Sequence, residues 1–242
     1  MLVQANKIKE GLELKEIVCV FDQALYAKAA EIKWKHTQTF QNVVLRMGVF
    51  HTICNLLSII GKRFGSAGLR DLAVESGIIA EGSINSVLDG KKYNRGVRLC
   101  KLVYEAFFRL AWKQFCQWLK ESSPESEVHL SETMKAISYL RSDVCQVALV
   151  EVEQNESVSL VLSQFMHFIN CLRNSRGPLA SFWVSFIDIV GILLDLIRGS
   201  REGNWLLHLS SVRQMIPWCF AYDKQNYARY FDNFSFYYSF FL

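Results

Sequence analysis

The pair of residues best placed for chemistry is Asp22 and His51. Asp22 closes a short β-branched run, Glu16 to Phe21 (EIVCVF). In open α/β sheets, ligands and metals gather at that end of a strand. Asp22 is therefore a candidate metal carboxylate, but on its own it makes a weak site, because Mg²⁺ is usually held by more than one carboxylate or by phosphates. The competing assignment, and the favoured one, is a helix cap whose side chain accepts backbone N–H bonds. His51 follows Gly48-Val49-Phe50 at the start of a helical pattern. It is a candidate catalytic group. The favoured reading is structural, a ring packed beside Phe50 and Cys54 and hydrogen-bonded across the strand–helix junction.

A second cluster is basic. Residues 89–101 read DGKKYNRGVRLCK. Lys91, Lys92, Arg95 and Arg98 are candidates for neutralising phosphates, and Tyr93 for stacking on an unpaired base. Gly90 and Gly96 let a partner approach the backbone. The structural alternative is a solvated turn whose arginines pair with the acidic region 121–156. Lys62-Arg63 reads as a solvated helix end. No complete catalytic fingerprint is present: GxGxxG, the P-loop, GxSxG and HExxH are all missing.

The elements that must position these residues begin with the run 16–21, followed by an Ala- and Lys-rich helical stretch from Ala24 to Lys35. A second short strand pattern, Asn42 to Met47 (NVVLRM), precedes a helix that opens at Phe50-His51 and runs to about Phe64. Strand, helix, strand, helix predicts two adjacent parallel strands in an α/β unit. Beyond Gly65 the pattern is helical: short helices over 71–76 and 83–88, a long amphipathic one over 96–120, and helical character from Leu130 to Arg173. The acidic loop Glu121 to Glu127 (ESSPESE) is the best boundary candidate. After Arg176-Gly177-Pro178 come helix 179–198, a turn at Gly199-Ser200, helix 202–216 ended by Pro217, and a last helix near 223–230. Trp205, Leu209, Val212 and Ile216 share one helical face and read as core. The expected fold is thus α/β but mostly helical, a small parallel sheet carrying many helices.

Four segments are expected: an α/β core over 1–64, a helical insertion over 65–178, C-terminal helices over 179–231 that pack back on the core, and an aromatic tail over 232–242. The tail reads as a truncation or an out-of-frame continuation in preference to an aromatic anchor. Charge is uneven: residues 1–120 carry eighteen Lys/Arg and ten Asp/Glu, while 121–156 carry two and eight. That favours a polyanion partner for the first half, or mutual packing of the two regions. Hydrophobic residues make up 51% of the 242, enough for a core and against bulk disorder. The seven scattered cysteines form no CxxC pair or zinc spacing and read as reduced, buried thiols of an intracellular protein, nuclear or cytoplasmic. Leu179 to Ile197 is long enough to span a membrane, but Ser181, Ser185, Asp188 and Asp195 lie on one stripe, so it reads as an amphipathic or buried helix.

The stretch Ile17 to Leu57, IVCVFDQALYAKAAEIKWKHTQTFQNVVLRMGVFHTICNLL, resembles the middle of the ribonuclease-H-like catalytic core of cut-and-paste transposases, notably the Mutator-like group. In that family a strand ends in the second catalytic Asp, and a second strand leads to a Cys/Trp-His pair opening the next helix. Asp22 matches the aspartate and His51 the histidine; Val49 and Phe50 stand where the cysteine would be. More broadly, residues 17–231, with FDQALYAKA, FHTICNLLSIIGKRF and REGNWLLHLSSVRQMIPWCFAYDKQNYARY, resemble a family of mobile-element-like proteins of animal genomes. The resemblance implies three carboxylates around two Mg²⁺ or Mn²⁺ ions. Asp22 is the second, Glu202 and Asp223 are candidates for the third, and residues 1–16 contain no Asp to serve as the first.

The resemblance and the residues together imply a transposon-derived, ribonuclease-H-like fragment with DNA as its expected partner and no strand cleavage by this chain alone. The alternatives are a non-enzymatic module that binds protein, and a membrane-associated protein that uses helix 179–197. No small-molecule substrate is evident.

Overall fold

The computed structural model describes residues 1–142, 150–152, 154–175 and 177–230. The chain forms two compact units: Met1–Cys100 with Ile189–Leu242, and Lys101–Asp188. The divisions fall inside helices, not at Gly65 or Pro178, where the composition changes. The fold is mostly helical with a small two-stranded parallel sheet.

The first unit opens with helix α1 (Leu2–Gly11), strand β1 (Ile17–Phe21), helix α2 (Gln23–Lys35), the single turn α3 (Thr37–Phe40), strand β2 (Val43–Met47) and helix α4 (Val49–Phe64). The strands pair in parallel from Ile17 with Val43 to Phe21 with Met47, as the two β-branched runs predict. Val43, Leu45 and Met47 are buried, the period of two that one covered face imposes. On β1 the pattern is weaker, and Val18 and Val20 stay 53% and 59% exposed. Lys33 on α2 donates from Nζ to the carbonyl of Val43 at 2.6 Å, fastening the crossover helix to β2.

Helix α4 is the core helix: Ile53, Leu56, Leu57, Ile59, Ile60 and Phe64 are all buried. A π-turn (Gly65–Leu69) leads to α5 (Arg70–Glu75) and α6 (Glu81–Leu88). Backbones meet closely here. A Cβ at Gly61 would lie 2.0 Å from the carbonyl oxygen of Leu88. Gly90, at φ +76°, admits a backbone approach to the carbonyl of Cys54 that any side chain would block.

Helix α7 (Tyr93–Ser122) begins before Gly96. Gly96 is a helical residue packed on Leu57, where its missing side chain makes room. The segment 121–127 is no open loop. Helix α7, a 3₁₀ turn (Pro124–Ser126) and α8 (Glu127–Ser142) succeed one another almost without a break. Helix α9 (Glu156–Ser175) and α10 (Pro178–Arg201) complete the second unit and lead back to the first. Helix α10 is long and apolar enough to cross a membrane by length and composition. Of its polar stripe, Asp188 is exposed and Asp195 half-buried.

The second unit is built on rings. Phe115, Leu119, Leu130, Val161, Phe165, Phe168, Ile169 and Val184 form its buried cluster. Phe115 meets Phe165 edge-on at 5.3 Å, and Trp112 lies 5.3 Å from the same ring. The buried hydroxyl of Ser157 joins helices α8 and α9 by bonding the Glu132 carboxylate and, at 2.9 Å, His129 Nδ1.

Helix α11 (Trp205–Ala221) belongs to the first unit and packs on α4. Two expected punctuation marks move. Gly199 lies inside α10, where a Cβ would come 2.8 Å from the backbone nitrogen of His208, and the turn falls at Glu202-Gly203-Asn204. Pro217 sits within α11 rather than ending it. It lacks one N–H, and the helix continues past that gap because Met215 and Cys219 on either side are buried. Leu209 and Val212 are buried, as their shared face requires. The cysteines differ from expectation: Cys100 and Cys219 are buried, but Cys19, Cys54, Cys116 and Cys171 are half-buried, all as free thiols. Cys145 and the tail 232–242 lie outside the described residues.

Candidate nucleic-acid interface

The carboxylates of the expected two-metal site each have a local structural setting. Asp22 is the N-cap of α2, and its Oδ1 accepts from the backbone N–H of Leu25 at 2.9 Å. The chain turns there from a strand into a helix whose first N–H groups need an acceptor, which is why a short acidic side chain suits the position. Glu202 is exposed at the end of α10 and accepts from Arg198 Nε at 2.9 and 3.1 Å, one helical turn away. Asp223 is exposed in the turn after α11 with φ +59°, a conformation that Asp tolerates better than most residues. Among the described residues, no three His, Cys, Asp or Glu side chains come together in a group able to hold a metal ion.

His51 differs from the expected junction histidine. It lies in the first turn of α4 and is exposed; its backbone carbonyl accepts from Asn55, and its ring meets Phe50 edge-on at 5.3 Å. No hydrogen bond joins the ring to the strand among the described residues. One turn into the helix, the side chain falls on the solvent face, opposite the buried stripe of Thr52, Ile53 and Leu56.

The basic cluster is brought together. The end of α6 turns through Asp89 and Gly90, with Asp89, Gly90 and Lys91 donating back to Asn85, Val87 and Ser86. This hairpin delivers Lys91 and Lys92 to the start of the 30-residue helix α7, and Arg95 and Arg98 lie on its first two turns. All four are exposed. Lys91 pairs with Asp89 at 2.9 Å, and Arg95 Nη1 donates to Ser83 Oγ at 3.2 Å. These partners lie within the hairpin and α6, not in the acidic region 121–156. Lys92 and Arg98 have no ion pair among the described residues. The first turn of α7 carries no acid. A helix N-terminus already bears partial positive charge and free N–H groups, so these cations reinforce the field of the helix end instead of cancelling it.

Tyr93 is less available than its sequence position promises. Its ring is half-buried and lies 5.3 Å from Phe50. It anchors the N-terminus of α7 to α4, a tertiary role that carries no local sequence signal. Lys62 and Arg63 also depart from expectation: only Lys62 is exposed, whereas Arg63 is half-buried and donates from Nη1 to the hydroxyl of Tyr222 at 3.1 Å.

This is a mostly helical α/β protein with a small parallel sheet, and its basic helix end packs on α4 through Tyr93 and Gly96. A family model described as "Domain of unknown function (DUF8702)" matches residues 1–235, and the chain belongs to that family. No curated protein and no solved structure matches it.

Proposed function

We propose that this protein binds nucleic acid through the N-terminal end of α7, on a scaffold derived from a ribonuclease-H-like mobile-element protein. One observation carries the reading: Lys91, Lys92, Arg95 and Arg98 stand exposed at the positive end of the longest helix, with Asp89 as their one ion-paired acid among the described residues. Such a surface attracts phosphates without reading sequence. The proposal assigns binding and no reaction, because Asp22 and Glu202 are already engaged as a cap and an ion pair. A nuclease of this kind would need Mg²⁺ or Mn²⁺ held by several carboxylates.

The test is binding to a labelled duplex and to its single strands over a range of salt. Each phosphate contact adds about 0.9 to the log–log slope on duplex and about 0.7 on a single strand. Lys92→Ala with Arg98→Ala is expected to remove about two contacts, and adding Lys91→Ala and Arg95→Ala to flatten the dependence further. A slope unchanged in the fourfold variant would rule out this surface. The alternative, a protein-interaction module, draws on a cavity of about 350 Å³ in the second unit, lined by Phe107, Trp118, Phe168 and Trp183. It predicts that Trp183→Ala abolishes partner capture and leaves nucleic-acid binding intact.

A further inference from the structure

The aromatic cavity of the second unit, about 350 Å³, is a groove between helices. Helix α7 lines one side with Phe107, Leu110, Ala111 and Trp118, and α10 the other with Ala180, Trp183, Val184 and Ile187. Phe168, which is buried, and Leu172 of α9 complete the lining. Each set keeps helical spacing, so each helix turns one continuous apolar stripe toward the same space. The rings are already packed in place: Phe107 lies 5.1 Å from Trp183, and Trp118 lies 5.5 Å from Phe168. At about 1.5 Å per residue, the wall of α7 from Phe107 to Glu121 is about 21 Å long, roughly four helical turns.

The groove is open to water. Leu110 is 61% exposed, and Gln114, Gln117 and Glu121, which line it from α7, are exposed. The most apolar stretch of α10 is only 44% buried. A small-molecule site covers most of its ligand, whereas a long open groove with apolar stripes on both walls suits a helix laid along it. The charge at one end narrows the choice. Glu121 is the one charged side chain among the lining residues. It accepts from Gln117 Nε2 at 3.3 Å and makes no ion pair among the described residues. It stands in the last turn of α7, where the helix end adds partial negative charge. Lys120, the basic residue of that turn, lies 3.5 Å from Glu127. With no Lys or Arg in the lining, the groove disfavours the carboxylate of a fatty acid and favours a cation beside Glu121.

We propose that this groove docks an amphipathic helix of about four turns from a partner protein, its apolar stripe seated between α7 and α10 and a Lys or Arg at one end meeting Glu121. The proposal rests on the protein-interaction reading of the cavity and gives that reading a partner chemistry. It is independent of nucleic-acid binding at the start of α7.

The test is fluorescence anisotropy of labelled synthetic peptides titrated with the full chain. The first peptide, of about 18 residues, carries one leucine stripe at helical spacing and a terminal Lys. The others have that composition scrambled, two central prolines, or Glu in place of the terminal Lys. The protein variants are Trp183→Ala, Leu110→Asp, Glu121→Lys, and Leu162→Asp as a control at an exposed residue of α9 that does not line the groove. The striped peptide should bind saturably. Trp183→Ala should weaken it about tenfold or more, the scale of an aromatic anchor. Leu110→Asp, at an exposed position that leaves the fold intact, should weaken it at least as much by setting a carboxylate among the apolar contacts, and Leu162→Asp should leave it unchanged. Glu121→Lys should weaken the Lys-ended peptide by up to about fivefold and tighten the Glu-ended one. Equal binding of the scrambled peptide, or unchanged affinity in Leu110→Asp, would overturn the proposal. If the proline-interrupted peptide binds as tightly as the striped one, the occupant is an extended segment: the helix is wrong and the interaction reading stands. If no peptide binds, both fall. Sedimentation of the free chain and of mixtures with phosphatidylcholine vesicles covers the other occupants. Self-association lost in Leu110→Asp would assign the groove to a second copy, and vesicle binding lost in the same variant would assign it to lipid; either result overturns the partner helix.

Discussion

The two compact units solve the problem of a stable interior differently. The first, Met1–Cys100 with Ile189–Leu242, carries nineteen Lys/Arg and thirteen Asp/Glu, a net +6; the second, Lys101–Asp188, carries eight and ten, a net −2. The first is held by close backbone approaches at Gly61, Gly90 and Gly199 and by polar anchors such as Asp22, Lys33 and Arg63. The second is held by interlocked rings around Phe115 and Phe165. The proposed phosphate contacts at the start of α7 fall on the first unit, and the described aromatic cavity falls on the second. A surface that gathers cations needs a rigid scaffold beneath it, and backbone-to-backbone packing supplies rigidity without using surface side chains.

The strongest way to break this comparison is one substitution in each unit. Gly61→Ala would place a Cβ 2.0 Å from the Leu88 carbonyl oxygen, a backbone atom that cannot swing aside. We expect a loss above the ~1–3 kcal/mol typical of overpacking. Phe115→Ala in the second unit should cost about 3–5 kcal/mol through the cavity left among four neighbouring rings. Hydrogen exchange separates the two cases. Gly61→Ala should expose amides in 1–100 first, and Phe115→Ala amides in 101–188. A single exchange block spanning both units in either variant would dissolve the distinction.

Acid provides the next test. His208 is 5% exposed, its Nδ1 has no hydrogen-bond partner among the described residues, and its ring stacks on Trp205, over which Arg46 lies at 4.4 Å. Burial, and then the charge of Arg46, push its pKa down to about 4 from 6.5. In that interval the unfolded chain binds the proton and the folded chain does not. The stability is therefore fully present above pH 6.5 and is lost as pH falls toward 4, with an upper bound on the order of 3 kcal/mol. His208 lies in the first unit, so the first unit should loosen first. Denaturation midpoints at pH 7 and pH 5 should differ less in His208→Gln than in the wild type; an equal difference would remove the imidazole from the account.

The two strands and their parallel pairing were legible because β-branched runs separated by one helix leave few alternatives; the register came from the structure. The Asp22 cap was legible for the same reason: a short acidic residue between a strand and a helix has one obvious local use. The basic start of α7 could be read as a cluster, since its residues are adjacent in the chain. The Arg63–Tyr222 bond could not, because its partners are brought together only by the packing of α11 on α4. Pro217 and Gly199 misled for a related reason. Local propensity assigns them to helix ends, but Met215 and Cys219 are buried on either side of Pro217, and Gly199 is itself buried against the backbone of His208, two residues before α10 ends. His51 lies on the surface because the apolar periodicity of α4 turns Ile53, Leu56, Leu57 and Ile60 inward and leaves position 51 on the opposite face.

The smallest expected effect bears most directly on the candidate carboxylates. If Asp22 is a cap, its contribution is one hydrogen bond to the Leu25 N–H plus the favourable placement of a negative charge at a helix N-terminus. Asp22→Ala should then cost about 1 kcal/mol, and Asp22→Asn only a few tenths, because an amide oxygen caps nearly as well. The counterpart in the second unit is Asn155, whose Oδ1 accepts from the Val158 N–H at 3.2 Å at the start of α9. Asn155→Ala should cost a similar amount, so the two units are expected to differ in their interiors and agree at their helix ends. A metal ligand predicts a different pattern for Asp22. Removing a carboxylate from an ion-free site relieves repulsion, so both substitutions would leave the apo protein unchanged or more stable, and Mg²⁺ or Mn²⁺ would raise the melting temperature of the wild type alone. Melting curves of the three proteins, each with and without the ion, therefore decide between a cap and a metal carboxylate at the end of β1.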